Sequence, residues 1–199
     1  MDKQTGKLIA RIAENLPEME ATTMQGWIEN PKSLQKFLLG LNPPEKISMP
    51  EPPLDFFIHV DSLVKPTYPD WMEKVMHPEL ELEGDAGYNL QYEVEQWLHN
   101  DQKHGSVVGN TIYKHLQKGD NLATCLNLQD GLAIQAKGIA VFRKLFAGKA
   151  VFLWGSVVQN RDGLLLVPYL YENGDKVVVF WNWLNGDWDS NRPALRFSK

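Results

Sequence analysis

Four short apolar runs, residues 150–158, 164–171, 176–184 and 194–198, close the chain. They are separated by Asn160-Arg161-Asp162-Gly163, by Glu172-Asn173-Gly174-Asp175 and by a Trp-rich segment. Runs of β-branched and aromatic residues bounded by such turn formers read as strands. Asn-Gly between two of them is the strongest short hairpin signal, because both central residues must accept a positive φ. A hairpin centred on Asn173-Gly174 is therefore expected, and with it an antiparallel sheet of four or five strands at the C-terminal end.

Upstream the period changes. Leu8, Ile9, Ile12 and Leu16 recur at helical spacing until Pro17, a short helical piece covers 22–29, and Leu34, Phe37, Leu38 and Leu41 repeat the pattern. Asn30-Pro31 supplies an N-cap and a first-turn proline. Five prolines between Asn42 and Pro53 mark an extended linker. The chain thus divides into a helical hairpin (1–41), a proline-rich linker (42–53) and a mixed domain (54–199), an α+β protein. In that domain 56–60 reads as a strand, and 71–82 (capped by Asp70), 89–100, 109–118 and 130–146 read as helices, with Gly119 and Gly148 placed as C-terminal glycines. A strand at 56–60 has no sequence neighbour, so it is expected to pair with 194–198 and bring the domain's ends together.

Composition narrows the function classes. A formal net charge of −5 and a pI of about 5.5 disfavour nucleic acid and anionic membranes, which draw on clustered Lys and Arg. In the hairpin, Lys32 and Lys36 stand against Glu18, Glu20 and Glu29, a poor balance for tracking phosphates. The single Cys125 excludes an intrachain disulfide and sits among leucines, as an inert thiol would. With neither a signal-peptide pattern nor an apolar run of about 18 residues, the expected location is the cytoplasm.

No phosphate loop, dinucleotide fingerprint or nucleophile elbow occurs, and no cofactor is implied. His77 with Glu79, Glu81 and Glu83, and His99 with Asp101 and His104, lack the spacing of a zinc site. Asp187 to Asn191 begins like a calcium loop but has Arg192 where glycine is needed. Glu93, Glu95, His99 and His104 form the polar cluster that an enzyme of unknown reaction would use.

The tail reads differently. Three of the chain's seven Trp lie at 181, 183 and 188, interleaved with Asn, Asp, Gly, Ser and Arg. Rigid aromatics supply contact area and short polar residues supply adaptable hydrogen bonds. Asn182, Asn185, Asp187, Trp188, Asp189, Ser190, Asn191 and Arg192 are the candidate ligand-binding residues, for a protein or small ligand. Trp181 and Trp183 share one strand face and Phe180 lies on the other. If the Trp pair packs under the helices, Trp188 is the exposed aromatic. Non-enzymatic recognition is the expected role, with the N-terminal hairpin as a second, protein-binding element or adaptor.

Tyr68-Pro69-Asp70-Trp71, His77-Pro78-Glu79-Leu80, Trp97-Leu98-His99, Ile134-Gln135-Ala136-Lys137-Gly138, Gly148-Lys149-Ala150-Val151-Phe152, Val167-Pro168-Tyr169-Leu170 and Pro193-Ala194-Leu195-Arg196-Phe197 together resemble an uncharacterised family of hypothetical proteins from uncultivated, small-genome bacteria. The resemblance spans nearly the whole chain and implies no reaction. Strand, helices and a terminal sheet returning to the first strand is also similar to the C-type-lectin-like variable proteins of diversity-generating retroelements. That similarity implies a hypervariable C-terminal patch, whose Asn, Asp, Ser, Gly and Arg are reachable from Asn codons.

Overall fold

A computed structural model describes residues 3–14, 18, 20–40, 53–61, 65–81, 86–119 and 121–198. The linker at 42–53 (Pro53 apart), the helix stop at Pro17 and Glu83 lie outside the described residues. The chain divides into two compact units, Met1–Glu51 and Pro52–Lys199.

The first unit holds α1 (Lys3–Glu14), α2 (Ala21–Glu29) and α3 (Pro31–Gly40). Asn30 serves two helices at once. Its N–H donates to the Gly26 carbonyl at 3.0 Å, ending α2, and its Oδ1 accepts from the Ser33 N–H at 3.3 Å, starting α3. Pro31 fills the first helical position, where its missing N–H leaves nothing unsatisfied. Ile9, Ile12, Met24 and Ile28 are exposed.

The second unit runs β1 (Phe57–Val60), β2 (Met72–Val75), β3 (Ala86–Asn89), β4 (Val94–Trp97), α4 (Asn100–His104), β5 (Val107–Val108), α5 (Gly109–Leu116), α6 (Leu128–Ala136), α7 (Ile139–Phe146), β6 (Val151–Phe152), β7 (Val158–Asn160), β8 (Leu165–Asn173), β9 (Lys176–Trp183), β10 (Asp187–Trp188) and β11 (Ala194–Phe197). The protein is α+β. Residues 71–82 and 89–100, expected to be helical, are instead built around β2 and around β3 and β4. The expected helix at 130–146 is two helices, parted where Gly138 takes φ +83°.

Among the described residues, seven strands form the main sheet, in the order β2-β7-β8-β6-β11-β4, with β9 also paired to β8. It is larger than the expected four or five strands, and it is mixed, because β11 runs parallel to β6. The expected pairing of 56–60 with 194–198 is not found. Both edges of β11 are taken, by β4 and by β6. β1 pairs with β3 instead and sends Ile58 and Val60 into the core. The return of the last strand to the first, which carried the likeness to C-type-lectin-like proteins, is thus absent.

Alternation along the strands divides the core between the two faces of the sheet. Val151, Leu170 and Leu195 join Ile58, Tyr88, Ile134 and Phe142 on one side. Their strand neighbours Phe152 and Ala194, with Val167, join Trp154, Tyr113, Leu116 and Trp188 on the other.

Candidate functional site

The β8–β9 hairpin turns at Gly174 (φ +62°), with Asn173 paired to Lys176, so the central turn residues are Gly174-Asp175, one step beyond Asn173-Gly174. The register pairs Tyr171 with Val178, Tyr169 with Phe180 and Val167 with Asn182, placing these six side chains on one face. Tyr169 stacks on core Phe152 at 4.8 Å and continues outward to Tyr171 at 5.4 Å and Phe180 at 6.1 Å. Phe180 is 57% exposed. Burial raises the Tyr169 phenol, Tyr171 adds to the rise, and the Arg192 guanidinium opposes it. The Ala150 and Phe152 N–H groups donate to the Asn191 and Pro193 carbonyls, and β6 pairs with β8 at Leu170 and Tyr169, which brings residues 191–193 near this row.

Residues 187–192 form a segment held through its main-chain carbonyls and by the side chains of Asp189 and Arg192. Buried Gln102 donates through Nε2 to the Asp189 carbonyl at 3.0 Å and the Arg192 carbonyl at 3.1 Å. The Asn191 N–H donates to Asp189 Oδ1 at 2.9 Å, and Arg192 Nη1 donates to the Asp187 carbonyl at 2.9 Å. Asn185, Asp187, Asp189, Ser190 and Asn191 are exposed, while Asn182 and Arg192 are half-buried.

Trp188 departs from expectation. It is 0% exposed, with its ring 4.1 Å from Phe152 and 5.2 Å from Trp154. It is core and does not line the surface, because β10 pairs with β5 and turns the indole inward. Gly109 lies against it: a Cβ there would fall 2.7 Å from Trp188 Nε1 and 2.9 Å from the Leu184 carbonyl. Of the three Trp in the tail, the exposed one is Trp183, at 51%. Trp181 is half-buried edge-on to Trp71 at 5.5 Å, near Tyr68 at 6.1 Å. Trp71, Trp181 and Trp183, with Leu166 and Asn160, line a cleft of about 290 Å³ beside β9. Trp71 enters this wall from far away in sequence, which no local signal indicates.

The four polar residues proposed for an enzyme do not converge. Glu93 accepts from the Asn89 N–H at 2.6 Å, Glu95 pairs with Arg196, and His99 caps α4 by accepting from the Asp101 N–H at 3.3 Å. His104 is exposed at the end of α4. His99 instead meets His115 at 5.0 Å, and His115 stacks on Trp97 at 5.5 Å, which also carries Arg196 over its ring. Burial first, and then the neighbouring His99, Lys118 and Arg196, depress the His115 pKa.

A second group joins His77 and Glu79 to Tyr113, which the sequence does not single out: Glu79 Oε1 meets His77 Nδ1 at 3.1 Å and His77 Nε2 meets the Tyr113 hydroxyl at 2.5 Å. Carboxylate, imidazole and hydroxyl stand in the order a nucleophilic triad uses. However, Tyr113 is 4% exposed and burial pushes its phenol up to about 12, the reverse of activation. Glu81 holds the Tyr68 hydroxyl at 2.7 Å. Burial likewise pushes the Cys125 thiol up to about 12, so it stays protonated. Among the described residues, no group of three or more His, Cys, Asp or Glu could hold a metal ion. No described helix is long and apolar enough to cross a membrane.

Comparison of the chain with protein-family models, curated proteins and solved structures finds no match.

Proposed function

We propose that this protein is a non-enzymatic recognition module. It contacts a protein or small ligand through the row Tyr171-Tyr169-Phe180 and the polar side chains of Asn182, Asn185, Asp187, Asp189, Ser190, Asn191 and Arg192. One observation carries the reading: Gln102 secures residues 189–192 through main-chain carbonyls, while the side chains between them face solvent. A surface built this way keeps its shape when its side chains change. The aromatics contribute area at low entropic cost, and the short polar groups contribute hydrogen bonds. Trp188, buried, serves as the anchor beneath the patch and does not touch the ligand.

Natural variation tests the proposal. Gene copies sequenced from the source population should differ at Asp187, Asp189, Ser190 and Asn191 and keep Leu184, Trp188 and Gln102. Copies identical at the four polar positions while varying elsewhere would remove its support.

A further inference from the structure

We infer that β9 is an interface between two copies of this chain, paired antiparallel about a two-fold axis at Phe180. The inference begins with the hairpin. A two-residue turn makes Asn173 and Lys176 the closing hydrogen-bonded pair, and alternation then directs the backbone groups of Lys176, Val178, Phe180 and Asn182 toward β8. Those of Val177, Val179, Trp181 and Trp183 point the other way. Two contacts outside the ladder agree with this parity. The Leu184 N–H donates to the Leu165 carbonyl, and the Pro168 carbonyl, opposite Trp181, accepts from Leu153 on the far edge of β8. Pro168, which lacks an N–H, therefore costs the β8–β9 ladder nothing.

The outward groups divide symmetrically. Val177 O accepts from Gln135 Nε2 at 2.8 Å, and Trp183 O accepts from the Gly186 N–H at 3.4 Å. Between them, the N–H and C=O groups of Val179 and Trp181 have no partner among the described residues. The open positions lie one residue either side of Phe180, and the occupied ones three residues either side. A two-fold axis there pairs Val179 with Trp181 of the second copy and Trp181 with its Val179, forming four backbone hydrogen bonds. It stops where the carbonyls are already taken.

Phe180 then meets its own copy in a non-hydrogen-bonded pair, where side chains approach most closely. That contact covers a ring now 57% exposed. Residues 177–184 carry no charge to oppose a second copy, and only the antiparallel direction sets Val179 against Trp181. An extended peptide from another protein could satisfy the same backbone groups, but it leaves the symmetry without a reason. An uncovered edge of β-branched and aromatic residues without proline or bulge is also the kind that folded proteins cover. The pairing does not depend on the recognition proposal. If both hold, Phe180 belongs to the seam and not to the ligand-contacting row, and the two remaining patches lie on one continuous sheet and can bind bivalently.

Sedimentation of the full chain across a concentration series should show a reversible dimer. Phe180→Lys should abolish it with the melting curve retained, because the site is exposed and the substitution opposes two charges. Val179→Pro removes a donor that faces away from β8 and should also give a monomer. Phe180→Cys should form an intermolecular disulfide on mild oxidation, since a non-hydrogen-bonded pair brings Cα atoms to about 4.5 Å. Val178→Cys, opposite Asn182 of the second copy, should not, and Cys125 is buried. A monomer at every concentration, or a dimer unchanged by Phe180→Lys and uncrosslinked by Phe180→Cys, overturns the inference.

Discussion

Deleting residues 194–199 should abolish the cooperative unfolding transition of the second unit. β11 lies inside the sheet between β4 and β6, and its Leu195 carbonyl also accepts from the Leu126 N–H at 3.0 Å. It touches both halves of the core at once, since Leu195 is 0% exposed on one face and Ala194 is 2% exposed on the other. Phe197 sets its ring against Tyr88 at 5.0 Å, and Arg196 bonds Glu95 while lying over Trp97. Truncating one buried Leu to Ala typically costs about 2–5 kcal/mol, and a domain's whole stability is about 5–15 kcal/mol. Losing the strand with its ladder on both edges exceeds what the fold can absorb. A truncated chain that melts like the intact one would refute this role for β11.

Trp188→Ala should destabilise the unit by about 3–5 kcal/mol, the usual cost of truncating a buried Trp. Phe152 and Trp154 would lose their neighbour, and the main-chain surface of Gly109, fitted to the indole, would face a cavity. Trp183→Ala should cost much less, because that side chain is 51% exposed. Chemical denaturation of both variants checks the contrast. Equal losses would mean that Trp183, and with it the surface of β9, belongs to the core.

The hairpin was legible because its code is local. Asn173-Gly174 between two apolar runs marks a turn wherever it sits, although the turn centres one residue later, on Gly174-Asp175, and Asn30-Pro31 likewise marks a helix start by capping chemistry alone. β2 was illegible for a physical reason. Met72 and Val75, three apart, resemble one face of a helix, but the strand shifts register between Met72 and Lys74 against β7. An irregularity of this kind breaks the two-residue period and lets residues three apart share a side. Leu90, Val94 and Trp97 mimic a helix too, although residues 90–93 form the turn between β3 and β4. At Trp188, flanked by Asp187 and Asp189, nothing local signals burial. Its inward orientation comes from pairing with β5, some eighty residues upstream.

The candidate site was partly legible for the same reason. Exposure of Asn185, Asp187, Asp189, Ser190 and Asn191 follows from their own chemistry. Tyr169, Tyr171 and Gln102 enter through cross-strand register and a buried side chain reaching across the fold, neither of which has a sequence signature.

A saturation scan of residues 180–192 read out for folding bears most directly on whether this segment combines a fixed frame with replaceable side chains. Asp187, Ser190 and Asn191 should accept nearly all polar and small residues, with changes within about 0.5 kcal/mol, as at ordinary surface sites, whereas Asp189, whose Oδ1 accepts from the Asn191 N–H, should accept Asn or Ser best. Leu184 and Trp188 should accept almost none. Uniform intolerance across the segment would show its polar side chains to be part of the frame, and would contradict recognition through a replaceable surface.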